Sequence, residues 1–226
     1  MPAGPEKPEV VILDFDGTVA DTMPFLVELA AGLLHRRYGM IYEEARRAYI
    51  DTTGLPFCRQ IEIIFPGNDL NEETVKEFED AKIRPLEDFD FFADAPAVIA
   101  GIRSQGIKVC LSSGNNDGLI RRVLASRGLA VDLVLGYKPG FEKGPQHFKA
   151  AALAFGTPLD RVVFVGDSVK DGLAAREAGI RFIAKAGLVD EAGLRDSLPG
   201  VPVVRSLSQI LPLLGIKIAR ENAGTS

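Results

Sequence analysis

Hydrophobic residues recur along this 226-residue chain with two different spacings. Residues 10–13 (Val-Val-Ile-Leu) form a continuous apolar run, which is typical of a buried central strand. Between about residues 23 and 89, apolar residues instead recur every three or four positions, and no strand pattern interrupts them. This spacing predicts four helices, over about residues 25–38, 43–51 and 56–65 and from Asn71 onwards.

From Asp94 onwards one unit repeats, in which a helix ends at a glycine and an apolar run follows. A glycine just past a helix end supplies the left-handed cap, and a short loop then leads into the strand. Alternating helices and buried strands predict a parallel sheet with helices on both faces, and the first strand belongs to it. The four glycines are Gly106, Gly128, Gly156 and Gly179, and the following strands are predicted over residues 107–111, 129–135, 162–165 and 180–183.

The predicted fold class is therefore α/β, with a Rossmann-like parallel sheet core and an inserted all-helical cap domain. We assign residues 1–21 and 91–226 to the α/β core and residues 22–90 to the cap. Ser206 is predicted to cap a last helix that ends near Leu214, and residues 221–226 are predicted to fray.

Four aspartates lie at the ends of predicted strands. Asp14 and Asp16 follow the first strand, and Gly17 then lets the backbone turn sharply. Asp167 and Asp171 follow the fourth strand, about one helical turn apart. Each pair alone also has an ordinary structural explanation: an Asp-Gly turn for the first pair and a helix cap for the second. Because parallel strands end at one edge of a sheet, the four together predict a carboxylate cluster that suits Mg²⁺.

A phosphate-binding surface is predicted at the same edge. Ser113 and Gly114 follow the second strand, where a hydroxyl and exposed backbone N–H groups suit an anion. Asn115 is assigned to phosphate binding as well, with capping of the next helix as the alternative. Lys138 and Lys143 both follow the third strand, and either one points into the site or stays in solvent.

Composition limits the partners and the compartment. The formal net charge is −5 and there is no basic run, which argues against nucleic acid as the main partner. No apolar stretch approaches the roughly 20 residues that span a bilayer, and the N-terminus lacks the apolar segment of a signal peptide. Two cysteines and two histidines argue against a disulfide scaffold and a multi-histidine zinc site. We expect a cytoplasmic protein, with no membrane partner, as a monomer or small homo-oligomer.

Taken in order, the motifs resemble those of the haloacid dehalogenase superfamily, in its phosphatase branch with an inserted helical cap (phosphoglycolate phosphatase-like). They are Asp14-Phe15-Asp16-Gly17-Thr18, then Ser113 after an apolar strand, then Lys143, then the run from Gly166 to Asp171. Lys143 fits the third motif better than Lys138. The resemblance implies a Mg²⁺-dependent phosphomonoester hydrolase that acts on a small phosphorylated metabolite.

The resemblance also implies how the aspartates act. Asp14 is expected to attack phosphorus and form an aspartyl-phosphate. Asp16 is expected to protonate the leaving oxygen and later to take a proton from the attacking water. The Mg²⁺ ligands are expected to be Asp14, the backbone carbonyl of Asp16, Asp167 and, directly or through water, Asp171.

Substrate contacts are expected from the core and from the cap. On the core side the phosphoryl oxygens are expected to contact Ser113, Gly114, Asn115 and Lys143. On the cap side, residues 53–56, which include Gly54, resemble the loop that reaches the substrate. Sugar-phosphate mutases of this family place an arginine after the proline of that loop, where this chain has Phe57, and Arg59 is assigned as a partial substitute. These mutases also need a histidine near position 26, where this chain has Leu26. A mutase is therefore a less favoured alternative than a phosphatase.

Other functions fit the motifs less well. Dehalogenases and phosphonate hydrolases of the family lack the second aspartate of the first motif, which is Asp16 here. A phospho-accepting receiver also gathers aspartates, Mg²⁺, a hydroxyl and a lysine, but it is about half this length and has no cap. A catalytically silent binding protein would not need all four motifs.

Overall fold

The computed structural model describes residues 7–216, in which a six-stranded parallel sheet is flanked by helices. The strands are β1 (Val10–Asp14), β2 (Lys108–Ser112), β3 (Leu133–Leu135), β4 (Val162–Gly166), β5 (Arg181–Lys185) and β6 (Val203–Val204). The helices are α1 (Met23–Tyr38), α2 (Tyr42–Asp51), α3 (Phe57–Ile64), α4 (Asn71–Asp88), α5 (Ala95–Ser104), α6 (Asp117–Ser126), α7 (Pro145–Phe155), α8 (Val169–Ala178), α9 (Glu191–Ser197) and α10 (Ile210–Leu213). Across this part of the chain, no helix is both long and apolar enough to cross a membrane. The predicted α/β fold class is confirmed.

The strand order places β1 at the centre of the sheet. The order is β3-β2-β1-β4-β5-β6, so that β1 is hydrogen-bonded to β2 on one side and to β4 on the other. Asp14 is paired with Ser112 of β2, and Leu13 is paired with Val165 of β4. The loops that follow these three strands therefore leave the sheet at one edge.

The two faces of the sheet are covered by separate hydrophobic clusters. Val11 and Leu13 pack into one cluster, and Val10 and Ile12 pack into the other, as alternation along a strand requires. All four side chains are fully buried. Burying apolar surface on both faces fixes β1 in place, and so fixes the position of the carboxylate at its end.

Helices α1 to α4, which we call the cap helices, have a third hydrophobic cluster of their own. Leu33 and Leu34 of α1 are fully buried in it, and the rings of Phe57 and Phe78 stack with centroids 3.9 Å apart. Helix α1 ends at Tyr38, and Gly39 follows with a φ of +68°, which gives a left-handed cap. The four predicted helices are therefore confirmed as elements, each with bounds within a few residues of those expected.

The repeating unit of helix, glycine and strand is present, with two corrections. Gly106, Gly128, Gly156 and Gly179 all have positive φ, as predicted. The strand predicted over 129–135 was too long, since β3 begins only at Leu133: the N–H of Leu129 bonds to the carbonyl of Leu124 and closes the end of α6 instead. The predicted last helix is interrupted, with a 3₁₀ turn at Leu207–Gln209 before α10. The fraying predicted for residues 221–226 lies outside the described residues.

Candidate active site

Three buried carboxylates from distant parts of the chain meet at the carboxyl edge of the sheet. Asp14 ends β1, Asp167 directly follows β4, and Asp171 lies in the first turn of α8. Each offers one oxygen atom that lies within 4.8 Å of the others. The sheet order explains this meeting, because β1 and β4 are direct neighbours.

Lys143 is the cation of this cluster. Its Nζ lies 2.8 Å from Oδ1 of Asp14 and 2.8 Å from Oδ1 of Asp171, and its side chain is 7% exposed. Lys138 lies outside, where it pairs with Asp117 at 3.2 Å and remains more than half exposed. Of the two lysines that the sequence left open, the structure brings Lys143 to the aspartates.

The loop after β4 uses its polar residues for two different purposes. Ser168, not Asp167, caps α8: its Oγ accepts the N–H of Asp171 at 3.1 Å and donates to Oδ2 of Asp171 at 2.7 Å. Oδ2 of Asp167 is buried and has no hydrogen-bond partner among the described residues. A Cβ added at Gly17 would lie 2.0 Å from that same oxygen, so only glycine fits beside Asp167. A buried carboxylate oxygen without a donor is a group that a cation would satisfy.

Asp16 is held apart from the three-carboxylate cluster. Thr22 donates its hydroxyl to Oδ1 at 2.8 Å, and the side-chain amide of Asn115 donates to Oδ2 at 2.6 Å. Burial raises the pKa of Asp16, and the hydrogen bond from Thr22 opposes that rise. The Asn115 side chain, assigned from sequence to phosphate binding, therefore contacts Asp16 in this structure, while Asn116 caps α6.

The turn after β2 brings small polar groups to the same place. Ser113 is fully buried, and its Oγ accepts the N–H of Asn115 at 3.0 Å, which fixes the turn. Gly114 lines the cavity described below, together with Asp14, Asp16 and Lys143. Of the residues predicted to bind phosphate on the core side, Gly114, Asn115 and Lys143 line this cavity with the aspartates, and Ser113 directly precedes Gly114.

The electrostatics of the cluster show an excess of negative charge. Burial raises the pKa of Asp14 despite the neighbouring charge of Lys143. Burial, and then the charge of Asp171, raise the pKa of Asp167 to about 7. Burial alone would lower the pKa of Lys143, but Asp14 and Asp171 raise it above its ordinary value. One lysine among several acids leaves a charge that a divalent cation with oxygen ligands would offset, so these residues fit Mg²⁺.

A small cavity of about 50 Å³ lies between the sheet edge and the cap helices. Its core-side residues are Asp14, Asp16, Gly114, Asn115, Lys143 and Asp167; its cap-side residues are Met23, Leu26, Tyr49, Thr53, Gly54, Leu55, Phe57, Gln60, Phe78 and Lys82. Gly54 packs tightly against the core, since a Cβ there would lie 2.3 Å from Oγ of Ser168. The predicted cap loop thus lies directly over the carboxylates.

Arg59 does not line this cavity. Its guanidinium pairs with Glu142 at 3.0 Å, and its side chain is 63% exposed. Beside it, Sγ of Cys58 lies 3.4 Å from the hydroxyl of Tyr137. Both contacts join α3 to the loop after β3, so in this structure Arg59 links the cap helices to the core.

Two buried lysines that the sequence pattern did not predict lie near the site. Lys185, at the end of β5, donates to the carbonyl of Gly17 at 2.9 Å and lies over the ring of Phe92. Lys82 lines the cavity from α4. The signal for Lys82 was readable, because Phe78, Lys82 and Leu86 recur every four positions and place the lysine in the buried stripe of the helix.

Comparison with known proteins gives consistent results. Residues 11–185 match the family model described as haloacid dehalogenase-like hydrolase. A phosphoglycolate phosphatase of Rhodospirillum rubrum is 26% identical over 186 residues, which are 76% of this chain and 77% of that protein. A phosphoserine phosphatase of Thermus thermophilus is 29% identical over 116 residues, which are 49% of this chain and 47% of that protein.

A solved structure shares the fold at lower identity. The crystal structure of a hydrolase from Pseudomonas syringae superposes with a TM-score of 0.77 and 19% identity, covering 91% of this chain and 97% of that one. At this identity the likeness concerns the fold, in which a parallel sheet carries helices on both faces.

Proposed function

The chain belongs to the haloacid dehalogenase-like hydrolases, and from that membership and the site geometry we propose that it is a Mg²⁺-dependent phosphomonoesterase. Its proposed substrate is a small phosphorylated metabolite, hydrolysed through an aspartyl-phosphate on Asp14. The relatives named phosphoglycolate phosphatase and phosphoserine phosphatase support phosphatase activity on small phosphate esters.

The observation that carries the proposal is the different surroundings of two aspartates two residues apart. Asp14 contacts a lysine and two further carboxylates, which suits an ionised nucleophile. Asp16 is hydrogen-bonded only by neutral donors, Thr22 and Asn115, and since burial raises the pKa of both aspartates, it is these partners that distinguish them. Paired acids with environments that differ in this way divide into a group that stays ionised and a group that exchanges a proton.

In the first step, a carboxylate oxygen of Asp14 forms a bond to phosphorus while the bond from phosphorus to the alcohol oxygen breaks. Asp16 gives its proton to that leaving oxygen, so the product is a neutral alcohol. Lys143, the hydroxyl of Ser113 and the backbone N–H of Gly114 hold the phosphoryl oxygens as their charge redistributes.

In the second step, water attacks phosphorus and the bond from phosphorus to Asp14 breaks. Asp16, now ionised, accepts the proton of that water and is ready for the next cycle. Thr22 and Asn115 hold both oxygens of Asp16 in place for the two proton transfers.

Asp14, Asp167 and Asp171 are proposed to hold Mg²⁺, together with the backbone carbonyl of Asp16. The bound ion supplies positive charge that lets an anionic nucleophile approach an anionic phosphoryl group. The orphaned oxygen of Asp167 supports this assignment.

Residues 22–90 are proposed to act as a cap domain over a core of residues 1–21 and 91–226. The separate hydrophobic cluster of the cap helices and the approach of Gly54 to Ser168 support this division. A closed cap excludes water from the reacting groups. Leu26 and Phe57 line the cavity where a mutase would need a histidine and an arginine, so hydrolysis is favoured over phosphoryl transfer between sugar hydroxyls.

The proposed location is the cytoplasm.

Hydrolysis of an aryl phosphate, with Mg²⁺ or with EDTA, tests this function. The wild type is expected to turn over only with Mg²⁺, and Asp14→Asn is expected to lower kcat at least ~10³-fold while the protein remains folded. Asp160→Asn, at an exposed position away from the site, is the matched control and should keep full activity. Full turnover by Asp14→Asn would overturn the nucleophile assignment, and no turnover by the wild type would refute the phosphatase.

A further inference from the structure

Lys82 of α4 is a buried cation on the cap side of the cavity. It is 4% exposed, although lysine ammonium groups normally remain in solvent. Its helix position is in line with Phe78 and Leu86, both of which are apolar core residues. A charged side chain in such a stripe lowers stability unless it has a partner, so the burial of Lys82 needs an explanation.

The protein itself satisfies Lys82 only in part. Its Nζ lies 2.7 Å from Oε1 and 2.6 Å from Oε2 of Glu79, and Glu79 is the only polar partner of this ammonium among the described residues. The ring of Phe78 lies 5.2 Å away and offers no hydrogen-bond acceptor of ordinary strength. An ammonium has three N–H donors and Glu79 has two oxygens, so at least one donor remains for a ligand.

Charge is distributed unequally over the cavity wall. The carboxylates that line it, Asp14, Asp16 and Asp167, all come from the core side. None of the cap-side lining residues carries a negative charge, and Lys82 is the cation among them. With the phosphoryl group at the aspartates, the alcohol portion of a substrate faces the cap side and its lysine.

Lys82 is the charged group on the cap side of the cavity, where the other polar lining residues, Tyr49, Thr53 and Gln60, are neutral. Gln60 is already engaged, since its Oε1 accepts from Thr52 at 3.0 Å and its Nε2 donates to the carbonyl of Leu55 at 2.8 Å. Phe57 and Phe78 form an apolar wall. The whole cavity is about 50 Å³, room for a few water-sized groups, so a substrate that reaches from the aspartates to Lys82 must be short.

We propose that Lys82 determines substrate specificity by binding a carboxylate on the alcohol portion of the phosphomonoester. The preferred substrates are then short phosphorylated hydroxy acids, in which phosphate and carboxylate are separated by one or two carbon atoms. This inference rests on the proposed phosphatase function and specifies its substrate class. Lys82 would make no bond to the phosphoryl group itself.

Two esters that differ in one group test this proposal. In 2-phosphoglycolate the terminal group is a carboxylate, and in 2-hydroxyethyl phosphate it is a neutral hydroxymethyl group of similar size. The wild type is expected to show at least ~10-fold higher kcat/KM on the acid, because a partly buried ammonium favours an anionic partner. Lys82→Met is expected to lower kcat/KM on the acid ~30-fold, mainly through KM, and to change the neutral ester less than about threefold.

Lys76→Met is the matched control, since Lys76 lies on the same helix but is exposed. It should leave both esters unchanged. Equal losses on both esters in Lys82→Met would overturn the proposal, because they would mean that Lys82 only offsets the charge of the aspartates or supports the fold. If Lys82→Met does not fold, the wild-type ratio decides alone, and equal kcat/KM on the two esters rejects the carboxylate site. Absence of turnover on either ester would instead reject the phosphatase function itself.

Discussion

His147 of α7 is a fully buried histidine that contacts the end of β2, next to the candidate site. Its Nδ1 lies 2.9 Å from Oγ of Ser112, and its ring packs on Phe141 with centroids 4.5 Å apart. Burial, and then the charge of Lys143, lower the pKa of His147 to about 4. The imidazole is therefore neutral in the folded protein at pH values where an unfolded chain would already be protonated.

This burial predicts a loss of stability in mild acid. Between about pH 6.5 and 4 the unfolded chain binds a proton at His147 that the folded chain does not, so the free energy of unfolding falls as pH falls. Relative to His147→Gln, the wild type should lose about 2 kcal/mol between pH 7.5 and 5. Urea denaturation at both pH values measures this, with exposed His35→Gln as the control. Parallel profiles for the wild type and His147→Gln would contradict the prediction.

At the scale of single residues, the sequence predicted the groups that sit at strand ends and missed those that reach the site from elsewhere. Asp14 and Asp167 were predicted because both directly follow strands of one parallel sheet, and Lys143 was preferred over Lys138 because it fits the family motif. The partners of Asp16 were not predicted, because Thr22 and Asn115 meet it through side-chain directions that periodicity does not specify. Lys82 was missed because a lysine on a helix is ordinarily read as a solvent-facing residue.

At the scale of elements, the loop between α2 and α3 packs closely against the start of α8. Gly54 has a φ of +91°, and a Cβ there would lie 2.3 Å from Oγ of Ser168. Ser168 in turn caps α8 through Asp171, one of the clustered carboxylates. The packing of this loop is therefore connected to the position of a proposed metal ligand.

Gly54→Ala is expected to separate the cap loop from the core. Both the positive φ and the contact with Ser168 oppose a methyl group, so kcat/KM on an aryl phosphate should fall at least ~10-fold. Gly67→Ala is the matched control, since Gly67 also lies between cap helices with a positive φ but has nothing within 4 Å of an added Cβ. It should cost about 1 kcal/mol of stability and leave activity unchanged. Steady-state kinetics beside thermal unfolding measure both, and equal activity losses in the two variants would disprove a role for the contact.

The elements themselves were largely predictable, and their errors have local causes. Long amphipathic helices such as α1 and buried strands such as β4 have strong periodic signals. The two-residue strand β6 and the seven-residue helix α9 were not predicted, since neither is long enough to show a period. The strand β3 was predicted too long because apolar residues after Gly128 close a helix end rather than continue the sheet.

At the scale of the whole molecule, folding concentrates negative charge at one sheet edge. The fold holds Asp14, Asp167 and Asp171 together against their mutual repulsion, with Lys143 as a partial counter-charge. The sequence could predict this meeting because the topology of alternating helices and strands leaves few other arrangements. The sequence could not predict the cavity, because the shape of the cavity depends on how the cap helices pack against the core.

Mg²⁺ is therefore expected to stabilise the folded protein. At a free concentration 100 times its Kd, a ligand adds about 2.7 kcal/mol, which corresponds to a rise of roughly 5–10 °C in melting temperature for a chain of this length. Thermal unfolding with and without MgCl₂, at ionic strength matched with NaCl, measures the shift. Asp167→Asn should abolish the shift, whereas Asp160→Asn should retain it. An equal shift in Asp167→Asn would exclude the proposed site.

The central claim is that Asp14 carries the phosphoryl group during turnover, and Asp16→Ala offers the most direct test. An aryl phosphate has a good leaving group, so the first step needs little help from Asp16, whereas the hydrolysis of the intermediate still needs a base. Mass spectrometry of Asp16→Ala, acid-quenched after incubation with an aryl phosphate and Mg²⁺, should therefore find one phosphoryl group on the peptide that contains Asp14. Release of the phenol with no phosphorylated protein, or with the phosphoryl group on another residue, would contradict the account.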